Sequence, residues 1–195
     1  MDKKNVIEFF DRLAPEWDAG MVRDNRIINI ILDNAGVEAG TCVLDIACGT
    51  GVLFPDYIAR KADSVTGIDI SSVMIKTAEE KFGNESRITL INGDAEIFDF
   101  NVQFDSIVIY NAFPHFAEPE VLIANLVKYL AVGGKLTVAH GMSRDKISHH
   151  HSGAASKVSV GLLDENELAD LFSKYLLVDT IISNDEMYQV AGKKL

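Results

Sequence analysis

The features that would mark a membrane or secreted protein are missing from this chain of 195 residues. Its longest apolar stretch is far below the ~20 residues that a membrane span needs, and the polar start MDKKN does not resemble a signal peptide. Cysteine is scarce, because the chain contains only Cys42 and Cys48, whose spacing is typical of neither a disulfide framework nor a zinc ligand set. We therefore expect buried, reduced thiols and a cytoplasmic protein.

Positive charge is scarce as well. Only 18 lysines and arginines stand against 29 aspartates and glutamates, so the formal net charge is −11. Nucleic acids are bound through a basic face that contacts phosphates, and the chain has no evident cluster of lysine and arginine. An acidic surface also repels anionic lipid head groups. The composition therefore indicates no nucleic-acid and no membrane partner and leaves small molecules or a cationic protein, while it predicts no particular oligomeric state.

What the chain does contain is a buried-strand pattern joined directly to a glycine turn. In residues 43–53, VLDIACGTGVL, the first four suit a parallel strand covered on both faces. The Gly-Thr-Gly turn at 49–51 lets the chain reverse sharply while a ligand approaches its backbone. Asp45 lies inside the apolar run, where an ionised carboxylate is costly without hydrogen bonds. We expect it either to bind the N–H groups of the turn or to meet a cationic ligand.

The spacing of the glycines limits the choice of ligand. A dinucleotide-binding fingerprint, G-x-G-x-x-G, would need a small residue three positions after Gly51, where Phe54 stands instead. A P-loop would need a Gly-Lys-Ser/Thr ending, which is absent. The turn is therefore expected to bind a nucleoside that carries no phosphate.

Polar residues also follow the next three strand patterns. The second pattern, SVTGIDI, ends in Asp69, where a carboxylate is placed to accept both ribose hydroxyls. The third, ITLI, precedes Asp94, and the fourth, FDSIVIY, leads into Asn111. Four such units in this order indicate one cofactor site rather than unrelated turns.

This series resembles the class I S-adenosylmethionine (SAM) dependent methyltransferases. The string D-x-A-x-G-x-G that begins at Asp45 matches motif I, Asp69 matches motif II, and the Gly-Asp-Ala string at 93–95 matches the next motif. The resemblance covers about residues 25–141 well and the rest loosely. It implies SAM as cofactor and methyl transfer to a small-molecule acceptor. The cofactor-binding residues that it implies are Asp45, Ala47, Gly49, Gly51, Asp69, Ile70, Asp94, Ala95 and Asn111.

The alternation of strand and helix patterns predicts an α/β fold with a doubly wound, mostly parallel sheet of seven strands and helices on both faces. Two β runs at 176–182 and 186–191 resemble a terminal hairpin, and the family resemblance implies that it adds one antiparallel strand. A helix is expected to end at Gly133-Gly134, with a fifth strand at 135–139. We expect a cofactor-binding domain at 24–195, without linker or repeat, that contains an inserted histidine-rich segment at 140–160.

The N-terminal segment, residues 1–23, precedes this domain. Its apolar residues Phe9, Phe10, Leu13 and Trp17 lie at near-helical spacing. In many members of the family such a segment folds over the cofactor as a lid. A docking helix that only covers apolar surface would show the same pattern, so both interpretations are retained.

Histidines supply the candidate catalytic residues. His115 follows the fourth strand, at the end of the sheet where open α/β folds bind ligands, and it is a candidate base. The inserted segment contains the other four. If it closes over the crevice, His140, His115 and one residue of the 149–151 run can converge. We name His115, His140 and His150 as candidate catalytic residues, and His140, His149 and His151 as candidate metal ligands. A solvated loop is the other interpretation.

A second class of function is compatible with the same residues. A protein of this fold can bind SAM or S-adenosylhomocysteine (SAH) without catalysis, as a sensor or as an inactive subunit of a methyltransferase complex. The intact glycines and the three acidic positions favour a competent site. Turnover with a panel of acceptors separates the two.

Overall fold

The computed structural model describes residues 1–151 and 157–195, without the side chains of residues 149–151. Its strands are β1 Cys42–Ile46, β2 Ser64–Asp69, β3 Ile88–Asn92, β4 Phe104–Tyr110, β5 Leu130–His140, β6 Leu177–Ser183 and β7 Tyr188–Lys193. They form one sheet in the order β3-β2-β1-β4-β5-β7-β6. The pairs from β3 through β5 are parallel, and β7 lies antiparallel between β5 and β6. The predicted fold class is confirmed.

Helices connect these strands and cover both faces of the sheet. They are α1 Lys3–Leu13, α2 Asn25–Asn34, α3 Phe54–Ala59, α4 Ser72–Phe82, α5 Pro119–Leu126, α6 Arg144–His151 and α7 Glu165–Ser173. Several of these helices have the N-terminal side-chain caps that the sequence predicts. The Ser71 hydroxyl accepts from the N–H of Met74 at 3.1 Å to cap α4, and Asp164 and Glu167 form the predicted capping box of α7.

The core is divided between the two faces of the sheet because strand side chains alternate. Leu44 and Ile46 of β1 point to the face packed by α5 and α7. Val43, and Asp45 by the same alternation, point to the face packed by α2, α3 and α4. Asp45 therefore lies in an apolar layer beneath α3.

The structure differs from the sequence-based expectation around Gly133 and Gly134. We expected a helix to end there, but α5 ends at Leu126 and β5 runs through both glycines. Gly133 has a φ of 82°, and a Cβ on Gly134 would lie 2.8 Å from the carbonyl oxygen of Asp105. The pair thus forms an irregularity in the strand, where the pairing with β4 shifts register.

The inserted segment contains a helix, α6, that the sequence did not predict. Ile147 anchors it in the core beside α5 and α7. None of the helices in the described part of the chain combines the length and the hydropathy of a membrane span.

Candidate functional site

The ends of four parallel strands meet at one edge of the sheet and define a crevice. The order of the strands reverses at β1, which lies between β2 and β4, and such a switch point is where open α/β sheets bind ligands. We call the residues that follow these strands the crevice floor: 47–51 after β1, 69–71 at the end of β2, 93–96 after β3 and Asn111 after β4.

Left-handed backbone shapes the floor. Ala47 and Asn111, which are not glycines, have φ angles of 53° and 54°, and Gly49 and Gly51 have φ angles of 56° and 82°. Such conformations cost a non-glycine residue about 1 kcal/mol or more and are concentrated at ligand sites. A Cβ on Gly51 would lie 2.7 Å from the Phe54 ring, so this position has no room for a side chain.

Asp69 joins two turns of the floor. Its carboxylate accepts the N–H of Gly49 at 2.9 Å and the N–H of Ser71 at 2.8 Å. Burial raises the pKa of Asp69 to about 6, although both of these hydrogen bonds favour the ionised form. A carboxylate has about four lone-pair sites, so two bonds leave capacity for two hydroxyl donors.

Asp45 does not hold the turn. It is 2% exposed, and burial raises its pKa well above the ordinary value, while the Tyr57 hydroxyl acts in the opposite direction. The carboxylate and the hydroxyl are close enough to influence each other, but their geometry is not that of a full hydrogen bond. In the described part of the chain, Asp45 Oδ2 has no hydrogen-bond partner.

Asp94 and Asn111 occupy the other two strand ends. Asp94 Oδ1 accepts the N–H of Glu96 at 3.1 Å, which closes a tight turn around the buried Ala95. Asn111 Oδ1 accepts the N–H of Gly141 at 3.0 Å and so ties the end of β4 to the end of β5. Ile70 lies between β2 and α4 and is half-buried. All nine predicted cofactor residues therefore lie on the floor or directly beneath it.

The N-terminal segment lies across this floor. Near its start, Lys3 forms ion pairs with Asp94, at 2.5 Å, and with Glu96. Further along α1, Asp11 accepts a hydrogen bond of 2.5 Å from the Ser71 hydroxyl, directly after β2. The helix therefore passes from the end of β3 to the end of β2. We call residues 3–20 the roof.

The roof continues over the glycine turn and beside β4. Asp18 accepts from the Thr50 hydroxyl at 2.6 Å and from Lys81 at 2.6 Å. Burial alone would raise the pKa of Asp18, but these two donors lower it below the ordinary value. The Phe10 ring packs edge-on against the His115 ring, with centroids 4.9 Å apart. The roof thus contacts the ends of β1, β2, β3 and β4.

Sequence reasoning found the aromatic residues of this segment but not its polar contacts. Lys3, Asp11 and Asp18 are each about two helical turns apart, so in a continuous helix they would share one face. That periodic polar stripe was the available signal. It was missed because each residue, taken alone, looks like an ordinary surface charge.

His115 is fixed by its neighbours on two sides. It ends the short 3₁₀ helix Phe113–His115, and its Nδ1 lies 2.6 Å from the carbonyl oxygen of Val158. A carbonyl only accepts, so Nδ1 carries the proton, and in the neutral ring Nε2 has the lone pair. The N–H of Val160 donates to Pro114 at 2.9 Å and holds the two segments together.

The other histidines are placed differently. His140, at the end of β5, is 3% exposed, and its ring lies 6.2 Å from that of Tyr188. The predictions for the side chains of His149, His150 and His151 lie outside the described residues. Within residues 1–148 and 157–195, no group of three histidine, cysteine or acidic residues could hold a metal ion.

A cavity of about 860 Å³ lies beside the crevice, on the outer side of α3. Of the predicted cofactor residues only Gly51 lines it. Its charged side chains include Arg23, which pairs with Asp56 at 2.7 Å, and Lys81, which pairs with Asp18. Both of these charged side chains are thus already paired.

A mostly parallel sheet, a glycine turn after its first strand and carboxylates after the next two define a nucleoside-binding α/β protein. Comparisons with known proteins make this class specific. Residues 43–134 match the model of a methyltransferase domain. The chain is 31% identical over 147 residues to demethylmenaquinone methyltransferase of Renibacterium salmoninarum, an alignment that covers 71% of this chain and 60% of that relative. The chain belongs to the class I SAM-dependent methyltransferases.

Solved structures agree on the fold. A methyltransferase in complex with the Trm112 activator of Haloferax volcanii superposes with a TM-score of 0.79 at 18% identity, covering 95% of this chain and 97% of that one. The N-methyltransferase NodS of Bradyrhizobium japonicum, in complex with SAH, has a TM-score of 0.77 at 17% identity, covering 97% and 98%. The chain spans about three fifths of the curated relative, so its activity is treated below as a proposal.

Proposed function

We propose that this protein transfers a methyl group from SAM to a small-molecule acceptor. The observation that carries the proposal is the crevice itself, where the glycine turn, Asp69 and Asp94 meet at one sheet edge beneath a roof. Relatives named as methyltransferases and the SAH-bound structural neighbour support the choice of cofactor.

The floor suits the parts of SAM. Asp69 would accept the ribose hydroxyls, because two of its lone-pair sites are unused by the turns. Asp94, Ala95 and Ile70 would hold the adenine. The glycine turn and Ala47 would pass beneath the methionine part of SAM. Asp45 is buried, and its Oδ2 has no hydrogen-bond partner among the described residues. Its carboxylate would supply negative charge below the cationic amino group of that methionine part.

The chain's part in catalysis is alignment and exclusion of water. When bound, SAM supplies a methyl group on a positively charged sulfur. Asn111, at the end of β4, would orient the reacting end, and the roof would exclude water. His115 would take the proton of an acceptor hydroxyl or amine through Nε2, because Val158 fixes the proton on Nδ1. His140 is packed in the core, and we assign it a supporting role beneath this site.

Residues 3–20 act in this proposal as a lid. Cofactor and product cannot leave the floor without displacing contacts such as those of Asp11 and Asp18, because the segment crosses the ends of four strands. We also propose the 149–151 histidine run as a second base or a metal site. Loss of turnover on chelation and recovery with a divalent ion would support the metal role.

Calorimetry tests the cofactor assignment. SAM and SAH should bind with a dissociation constant in the low micromolar range, roughly −8 kcal/mol, and NAD and ATP should not bind comparably. His115→Ala should then lower turnover and remove a limb of its pH profile while leaving SAM affinity unchanged. Comparable NAD affinity would contradict the cofactor assignment, and an unaltered pH profile would contradict the base.

A second candidate function is a SAM-binding subunit that works only within a complex. The solved structure of a methyltransferase with its Trm112 activator favours this alternative, since it shows the same fold in such an assembly. Mixing the protein with SAM and a panel of phenols, amines and thiols separates the two. An enzyme that acts alone releases SAH faster with an acceptor than in buffer. A subunit that needs its complex binds SAM but releases no SAH in isolation.

A further inference from the structure

We propose that Tyr57 is a positioning residue for cofactor binding, whose hydroxyl holds the Asp45 carboxylate in place beneath the glycine turn. This inference rests on the proposed function, because it concerns how Asp45 serves the cationic end of SAM. Tyr57 belongs to α3, which covers a face of the sheet at β1, whereas the crevice lies at the edge where the strands end. Its side chain would therefore not touch the cofactor.

The two groups form an isolated polar pair in an apolar layer. Tyr57 is fully buried and Asp45 nearly so, among side chains such as Val43, Leu53 and Val65. Within the described ranges, neither the Tyr57 hydroxyl nor Asp45 Oδ2 has a hydrogen-bond partner. Both groups lie in the same layer, between β1 and α3. The pKa values of the two groups are consistent with this arrangement. The Tyr57 hydroxyl favours the ionised form of Asp45. The pKa of Tyr57 is raised, first by burial and then by the charge of Asp45.

The nearby turn leaves this task to Tyr57. The N–H of Gly49 donates to Asp69 at 2.9 Å, and the N–H of Gly51 donates to the carbonyl oxygen of Cys48 at 3.0 Å. The N–H groups of Gly49 and Gly51 therefore do not donate to Asp45. A buried carboxylate stays ionised only if a donor or a cation compensates for the lost water, and the Tyr57 hydroxyl is the donor beside it.

Packing alone would not require the hydroxyl. Phenylalanine would fill the same volume between α3 and β1, and a buried polar group without full hydrogen bonding reduces stability. The hydroxyl is therefore explained by what it does to Asp45. A small shift of the hydroxyl toward the carboxylate would complete the hydrogen bond when a cationic ligand favours the ionised form.

The test is a double-mutant cycle on SAM binding. Tyr57→Phe should weaken SAM binding about tenfold near neutral pH, and Asp45→Asn should weaken it at least as much. In the Asp45→Asn background, Tyr57→Phe should have no further effect. Tyr129→Phe is the matched control, because it also removes a phenol hydroxyl bonded to a carboxylate, Asp99 at 2.8 Å, away from the crevice.

A second readout reports on Asp45 without the cofactor. In ligand-free protein, ¹³C NMR of the Asp45 carboxyl should show a higher pKa in Tyr57→Phe than in the wild type, and no change in Tyr129→Phe. An unchanged SAM affinity in folded Tyr57→Phe, or an equal loss in the Asp45→Asn background, would overturn the inference. Failure of the proposed function is distinguishable, because wild-type protein itself would then not bind SAM.

Discussion

The floor and the roof of the crevice are built by different means. The floor is held by backbone: left-handed residues, strand pairing and the two N–H groups on the buried Asp69 carboxylate. The roof is held by side chains that reach water, such as Lys3, which is 46% exposed. Hydrogen bonds to a buried charge contribute roughly 1.5–3 kcal/mol each, whereas exposed ion pairs contribute about 0–1 kcal/mol.

From this difference we expect a rigid floor and a roof that can move. A floor fixed through its backbone can hold a nucleoside in one position. A roof attached by several weak contacts can detach without unfolding the sheet. Changes on the floor should therefore alter affinity and stability, and changes on the roof should alter the rates of binding and release.

The largest effect is expected at Asp69. Asp69→Ala removes the acceptor that we propose for the ribose hydroxyls and leaves the N–H groups of Gly49 and Ser71 unbound. SAM binding should therefore weaken by about 2–3 kcal/mol, roughly 30-fold or more. Calorimetry measures the change. Asp63→Ala, at the exposed position directly before the same strand, is the control. Equal affinities in the two folded variants would show that Asp69 does not bind the cofactor.

Gly51→Ala should disrupt the crevice floor through a steric clash. Its φ is 82° and the new Cβ would meet the Phe54 ring, so unfolding free energy should fall by about 2 kcal/mol and SAM binding should weaken. Gly40→Ala separates the two causes, because Gly40 has a φ of 87° and open space around it. Denaturant unfolding measures both, and a similar loss in both variants would leave the steric argument unsupported.

The pH dependence of the floor follows from the pKa of Asp69. Folding raises this pKa from 3.8 to about 6, so the stabilisation from its protonated form is full below pH 3.8 and is lost as pH rises through about 6. Ribose donors favour the ionised carboxylate, so SAM affinity should instead rise with pH and fall about tenfold between pH 7 and pH 5. Titrations over this range measure the dependence. An affinity independent of pH would mean that Asp69 is ionised throughout.

A smaller effect is expected at the roof. Lys3→Met removes the ion pairs to Asp94 and Glu96, so SAH should dissociate a few-fold faster in stopped-flow measurements, with little change in unfolding free energy. Lys4→Met, one residue later and paired only weakly with Glu8 at 3.8 Å, should behave like wild type. Equal rates in the two variants, at low and high salt, would contradict a lid held by charge.

The floor was largely predictable from sequence, and the roof was not. Strand patterns, the glycine turn and the acids at 69 and 94 are local signals whose meaning is set by sheet topology. The roof depends on pairs such as Lys3 with Asp94, which are 91 residues apart in the chain and which no local pattern contains. The predicted end of α5 was wrong for a related reason. Two consecutive glycines are typical of a helix end, but here they form an irregularity in β5 that depends on its pairing with β4.

Hydrogen exchange with and without SAH tests the central claim most directly, since it reports on floor and roof in one experiment. We predict slower exchange at 47–53, 69–73 and 93–98 on the floor, together with residues 3–20 of the roof, and no change at β6, on the far edge of the sheet. Protection confined to the lining of the cavity beside α3, or none at residues 69–73, would contradict the account.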